Sequence, residues 1–285
     1  AHSSARDAPI PTARRARRRS FSVRAPGGGP QPDAPAPQLR PVLRYRLRLP
    51  PDCDTQTALR RLAEQEQLSL DRISFVDAPD VIRMEDHPKS ILREHKDSSL
   101  GTALRLLSEG RGDALVSAGS TGALLMGATF IVKRIKGISR PALAPILPSD
   151  RAPYMLIDSG ANADCRPEML LQFARMGSIY MSRMFPDRPA PRVGLLNVGT
   201  EDTKGGELAT FPLLRDSGLN FIGNIEARDV PAGVADVVVA DGFSGNVLLK
   251  TMEGTVDMLM GNLKAAFLST LRTKMGALLV MPSRA

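Results

Sequence analysis

The chain has 285 residues, 42% of them hydrophobic, 24% charged and 4% aromatic, the proportions of a globular protein of one or two domains with a substantial core. Two cysteines, Cys53 and Cys165, exclude a disulfide framework and a four-thiolate zinc site, and no apolar run reaches the about 18 residues of a membrane span. The net charge of +8 would suggest a nucleic-acid or anionic-membrane partner, but residues 1–50 hold 11 Arg, no Lys and two acids, leaving 27 basic against 28 acidic residues in the remainder.

Residues 1–50 also carry nine prolines and a Gly-Gly-Gly run, with too little apolar periodicity to offset the entropy of ordering, so disorder is expected there. Such a segment reads as a basic nucleic-acid arm, as a transit-like peptide, or as an inert tail or misread coding sequence. The abrupt change of pattern near Pro51 favours the last, and no nucleic-acid partner is expected. Residues 51–285 are expected to hold the fold.

From about Asp54, short apolar runs alternate with helical periods. ISFVD (73–77), DALVSAG (113–119), PYMLIDSG (153–160), RVGLLNVG (192–199), LNFIGNIE (219–226) and ADVVVADG (235–242) read as buried strands. Pro88 suits a first helical turn, and Asp97 or Ser98 can cap a helix carrying Leu100, Ala103, Leu104 and Leu107 that Gly110 closes. Pro167 starts a helix reaching Phe185, and the longest helical period covers 244–271. The alternation predicts an α/β protein with a parallel sheet covered on both faces.

In such a sheet ligands collect beyond the carboxyl ends of the strands. Four predicted turns there are rich in Gly and small polar residues: GSTGALL (119–125), SGANADCRPE (159–168), GTEDTKGGEL (199–208) and DGFSGNVLLK (241–250). Together they predict an anion or phosphate site. No GxxxxGK[ST] occurs, and the G-S-T-G stretch lacks the dinucleotide spacing, so ATP and NAD are disfavoured. His87 and His95 read as surface or capping residues and Cys165 as a small buried thiol; no ligand cluster has metal spacing, so no metal is expected. Lys96, Asp97 and Ser98 at a helix start, Glu226, Arg228 and Asp229 after a strand, and Asp241, Ser244 and Asn246 before Lys250 are the polar groups left for anion binding.

The ordered succession MEDHPKSILREHKDSSLGTAL (84–104), DALVSAGSTGALL, GISRPALAPILP (137–148), LIDSGANADCRPEMLLQFARMGSIY, RVGLLNVGTEDTKGGEL, FIGNIEARD and ADVVVADGFSGNVLLKTMEG strongly resembles bacterial phosphate acyltransferase, the PlsX family, from about Ile73 to Leu279. The resemblance implies transfer of a fatty acyl group from acyl carrier protein to inorganic phosphate for phospholipid synthesis; the alternatives are a phosphotransacetylase-type transfer from acyl-coenzyme A to phosphate and an inactive fragment that retains only binding. It also implies a three-layer α/β/α sandwich of phosphotransacetylase type, a homodimer, cytoplasmic location with peripheral membrane contact, and no organic cofactor.

With phosphate as the nucleophile, no Ser or Cys nucleophile is required and the protein must mainly position reactants and bind the anion. On that reading Lys96, Asn162, Lys204, Arg228, Asp241 and Asn246 are the catalytic candidates. Ser98, Gly119, Ser120, Thr121, Gly122, Asn197, Glu226, Gly242, Ser244 and Gly245 are the candidates for holding phosphate, in large part through backbone amides. Asn162, Asn197 or Asn246 would donate to the developing oxyanion. The segment from Met258, with four basic residues, no acids and a stripe including Leu259, Leu263 and Phe267, reads as an amphipathic helix at about 252–280 for a bilayer or for a dimer interface. Lys133, Arg134, Lys136 and Arg140 offer an alternative patch for the acidic carrier protein. The resemblance further implies an opening strand with a Met-Gly-Gly-Asp motif, absent from residues 1–72, and a Gly-rich segment beyond Ala285, so a fragment of the enzyme with foreign sequence at its front is expected.

Overall fold

The computed structural model describes residues 60–280 apart from 62, 71–72 and 205–208, so the expectation for residues 1–50 lies outside the described residues. Ser98 opens α1 (Ser99–Ser108), its Oγ accepting from Gly101 N–H at 3.2 Å, and Ser120 opens α2 (Thr121–Gly127) in the same way through Ala123 N–H. A π-helical turn, Ala128–Val132, prolongs α2, and a 3-10 helix, Pro88–Leu92, precedes α1. These elements close on Ile82, Ile91, Leu100, Leu104 and Ala123, a small core of their own.

The segments 73–77 and 113–119 are not strands, contrary to the sequence reading. Outside the sheet the only ladder contact among the described residues is a bridge between Asp80 and Ser98, and Val116 is 82% exposed. An apolar run becomes a strand only where a neighbour offers a ladder and a cover. Among the described residues neither segment has a ladder neighbour.

The other four runs form the sheet, with tighter bounds than expected: β2 (Tyr154–Ile157), β3 (Val193–Asn197), β4 (Phe221–Glu226) and β5 (Val237–Val239), preceded by a short β1 (Ile146–Leu147). The order is β1-β2-β5-β3-β4; β1 is antiparallel at the edge and the other pairings are parallel. Met155 faces Val237 and Ile157 faces Val239 in register, and Val193 and Leu195 oppose the same two valines from β3.

Period-two alternation sends the two side-chain sets of this sheet to opposite faces. Met155, Ile157, Leu195, Val237 and Val239 meet Leu170, Phe173, Ala174 and Met181 of α3 (Pro167–Met184) and Leu214 of α4 (Thr210–Arg215). Tyr154, Leu156, Val238 and Ala240 meet Val230 of the 3-10 turn Ala227–Ala232 and Leu248 and Leu249 of α5 (Gly242–Leu268). The result is three layers, α/β/α. Each fully buried large side chain in it contributes about 1.5–3 kcal/mol. A Cβ on Gly177 would lie 2.6 Å from Val237 Cγ1, so that glycine lets α3 sit close on the sheet.

The amino edge of the sheet is pinned by Asp236. Its carboxylate accepts from Arg192 N–H at 2.8 Å and from Arg192 Nε at 3.0 Å, with Arg188 Nη1 at 3.5 Å. Burial pushes this carboxyl up, but the Arg192 hydrogen bonds and the Arg192 and Arg188 charges outweigh it and hold Asp236 below its ordinary value.

The long C-terminal helix expected through residue 271 is instead two. Ser269 Oγ folds back to Ala266 O at 2.9 Å and Thr270 Oγ1 accepts from Thr273 N–H at 3.2 Å, ending α5 and capping α6 (Leu271–Val280). From 253 to 270 every side chain is exposed, and Val256, Met260, Leu263 and Phe267 recur at spacings of four, three and four along α5. No helix among the described residues is long and apolar enough to cross a membrane.

Candidate active site

The four parallel strands deliver the segments 158–162, 197–204, 226–229 and 241–246 to one edge of the sheet. Three of these are turns the sequence placed there, and the segment after β4 takes the place expected for 119–125, which opens α2 instead. Asp158, fully buried, organises the first. Its Oδ1 accepts from the amides of Leu143 at 2.9 Å, Gly160 at 3.2 Å and Ala161 at 3.0 Å. Its Oδ2 accepts from Asn162 N–H at 2.7 Å and from Asn162 Nδ2 at 2.8 Å.

The start of α5 is locked onto this turn. Gly242 N–H donates to Asn162 O at 2.7 Å, a Cβ on Gly242 would stand 2.5 Å from the same oxygen, and a Cβ on Gly245 would overlap Asp158 O. Asp241 caps the helix: its Oδ1 accepts from Ser244 N–H at 2.8 Å and its backbone oxygen from Gly245 N–H at 3.0 Å. The amides of Ser244 and Gly245 expected to hold phosphate are therefore satisfied within the fold, and Gly242 and Gly245 serve a close backbone approach. The carboxylates of Asp158 and Asp241 reach the turn amides first.

The asparagines divide on the same principle. Asn162 Nδ2 donates to Pro141 O and to Asp158, each at 2.8 Å, and Asn197 Nδ2 donates to Lys204 O at 2.9 Å while its Oδ1 accepts from Val198 N–H. Asn246 is exposed and makes no side-chain hydrogen bond among the described residues; its Oδ1 lies 3.7 Å from the position of a Cβ on Gly160. Its amide is free. Arg228, 77% exposed, keeps Nε 3.0 Å from Glu226 and 3.8 Å from Asp229, and its guanidinium makes no hydrogen bond among the described residues. Lys204 stands 4.0 Å from Glu201, a loose exposed pair. A cavity of about 340 Å³ opens between the turn after β2 and the start of α5, lined by Ala163, Asp164, Cys165, Asp241, Phe243 and Ser244. The half-buried Cys165 points its thiol at Asn162 O, 3.6 Å away.

The remaining candidates lie in the N-terminal helical group. Lys96 is exposed, Ser98 and Ser120 spend their hydroxyls as caps, Gly119 N–H donates to Ser117 Oγ, and Gly122 gives way to Pro88, whose Cγ would be 2.9 Å from an added Cβ. Thr121 is exposed at the first turn of α2. No hydrogen bond or ion pair among the described residues joins these positions to the sheet edge. Ser139, between the two groups, donates from N–H and Oγ to Gln172 Oε1 of α3 at 2.9 and 2.8 Å.

Two features escaped the sequence reading. Asp158 is signalled only by an Asp followed by small residues, the composition of an Asx turn. His95, read as a surface or capping residue, lies instead between two aspartates, 2.7 Å from Asp80 and 3.6 Å from Asp86.

Comparison with known proteins places these features in a family. The model of the family described as fatty acid synthesis protein matches residues 53–284. The phosphate acyltransferase of Clostridium tetani is 48% identical over 227 residues, covering 79% of this chain and 68% of that protein. That of Bacillus pumilus is 53% identical over 215 residues, covering 74% of this chain and 64% of that protein. The chain spans about two thirds of the length of these curated relatives. Among solved structures, the EutD phosphotransacetylase from Staphylococcus aureus is similar with a TM-score of 0.49 at 19% identity, over 72% of this chain and 73% of that one.

Proposed function

The chain belongs to the fatty acid synthesis protein family, and from that membership we propose that it transfers a fatty acyl group from the thioester of acyl carrier protein to inorganic phosphate, giving an acyl phosphate for phospholipid synthesis. One observation carries the reading. At the carboxyl edge, where a cavity opens between the turn after β2 and the start of α5, Asn246 has a side-chain amide with no hydrogen bond among the described residues, and the same edge carries the exposed Arg228 after β4, groups suited to an oxyanion and to a phosphate.

In this reading a phosphate oxygen attacks the thioester carbonyl, the tetrahedral intermediate collapses, and the carbon–sulfur bond breaks to release the carrier thiolate. A thiol with a pKa of about 8.5 leaves with little help from an acid. Asn246 donates to the oxyanion as its charge develops. Arg228, oriented by Glu226, and Lys204 hold the phosphate, and Ser244, positioned by Asp241, adds a hydroxyl. Lys96, exposed and without an ion pair among the described residues, supplies the cation of the N-terminal group. No organic cofactor or metal enters any step.

The Val256–Met260–Leu263–Phe267 seam has the spacing with which helices pair, which supports a homodimer. The basic residues Lys264, Arg272 and Lys274 along the same stretch support contact with an anionic membrane from the cytoplasmic side.

Trapping with hydroxylamine tests the reaction. Phosphate added with the enzyme is expected to raise hydroxamate from the acyl carrier thioester well above the background that hydroxylamine gives with the thioester itself, and no such phosphate-dependent increment would sink the reaction. Equal or faster turnover with an acyl-coenzyme A donor would replace the carrier protein with the coenzyme, the phosphotransacetylase-type alternative.

A further inference from the structure

Two carboxylates close on the imidazole of His95. Nδ1 lies 2.7 Å from Asp80 Oδ2, and Nε2 lies 3.6 Å from Asp86 Oδ2. A neutral ring carries one N–H and can serve one of these oxygens, whereas the imidazolium donates toward both. Each aspartate is held by its own segment: Asp80 Oδ1 accepts from Val81 N–H at 2.8 Å, and Asp86 Oδ2 accepts from Arg83 N–H at 2.6 Å.

His95 in turn belongs to the bend that leads into α1. Its N–H donates to Ser90 O at 2.9 Å, its carbonyl accepts from Ser98 N–H at 3.1 Å, and Ser99 N–H donates across to Asp80 O at 3.0 Å. The ring is thus a side-chain tie between the 80–86 segment and the backbone that carries Lys96 and Ser98. The charged groups acting on it are Asp80, Asp86 and Glu94, all acidic.

We infer that His95 is a pH-sensitive fastener: protonated, it clamps the 80–86 segment to the start of α1 and fixes the backbone of Lys96 and Ser98, and deprotonated, it lets one carboxylate go. Its link to phosphate rests on the function proposed above, through Lys96. The hydrogen bond to Asp80, with the charges of Asp80, Asp86 and Glu94 acting against a burial effect, raises His95 above the ordinary imidazole value of 6.5. The same hydrogen bond lowers Asp80. A raised folded-state value means that the clamp is fully present below 6.5 and is lost as pH rises through that raised value.

The test uses the full chain, whose three histidines give resolvable C2–H proton resonances, with His95→Gln identifying the one that titrates for His95. Its midpoint is expected above 6.5 and is expected to fall in Asp86→Asn, a change that leaves the Asp80 contact in place. Amide exchange of Ser99, corrected for its intrinsic rate, is expected to speed up by about tenfold as pH passes the midpoint, and to be fast at every pH in His95→Gln. A midpoint at or below 6.5, or Ser99 protection equal in His95→Gln and the parent, overturns the fastener. The KM for phosphate measures the link: the ratio of parent to His95→Gln, which cancels phosphate's own titration, rises through the same midpoint. A flat ratio with the two spectroscopic results intact removes Lys96 from the site and leaves the fastener standing.

Discussion

At the amino edge of the sheet Asp236 is buried against two arginines, whereas at the carboxyl edge the fully buried Asp158 is held by four backbone amides and the side-chain amide of Asn162. Both carboxylates are satisfied, but with opposite consequences for an incoming anion. Arg192 and Arg188 neutralise the first. Asp158 leaves its turn shaped but negative, with its amides consumed. On the proposed function, an anion at that edge is held by side chains brought from other segments, Arg228 and Lys204 among them, rather than by the amides of Gly160, Gly242 and Gly245, which are satisfied within the fold.

The comparison breaks most severely at Asp158. Replacing it by Ala removes five hydrogen bonds to part-buried N–H groups, each worth about 0.5–1.5 kcal/mol, so urea unfolding is expected to show a loss on the order of 4 kcal/mol, with activity abolished. Asp236→Asn uncouples a buried pair and is expected to cost about 3 kcal/mol, while turnover per folded molecule stays at the parental level because the opposite edge is untouched. Its pH signature is distinct. A depressed carboxyl contributes stability above its ordinary value of 3.8 and loses it as pH falls through the depressed one, so parental stability declines on acidification and the Asn variant's curve is flatter in that range.

Asn246→Ala sharpens the contrast from the functional side. Removing an oxyanion donor lowers kcat by about 100-fold. An exposed side chain without hydrogen bonds leaves stability within about 0.5 kcal/mol. Arg228→Ala, at a 77% exposed position, is expected to raise the KM for phosphate by about tenfold with unchanged unfolding.

The sheet was legible because MLID and VVVA combine β-branched and apolar residues with glycine at the carboxyl end, and the register then follows from burial on both faces. ISFVD and DALVSAG carry the same signal and fail. Strand formation needs a neighbouring ladder, which a local run of residues does not specify. Pro167 and Ser98 marked helix starts correctly because a cap is a local interaction within three residues. The duties of the turn glycines were not legible for the opposite reason. That Gly245 must clear Asp158 O, or that Asp158 reaches back fifteen residues to Leu143, depends on how β2 and β5 lie side by side. The break at Ser269–Thr270 was missed because apolar periodicity runs through it while two hydroxyls compete for the backbone.

The division of labour between the two edges is tested most directly by phosphate-dependent acyl hydroxamate formation in the parent, Asn246→Ala and Asp236→Asn, each normalised to folded protein. The expected result is a phosphate-dependent increment above the direct reaction of hydroxylamine with the thioester, which falls by about 100-fold in Asn246→Ala and is unchanged in Asp236→Asn. The absence of any phosphate-dependent increment, or an Asn246→Ala increment equal to the parent's, would contradict a carboxyl-edge site in which a free side-chain amide meets the developing oxyanion.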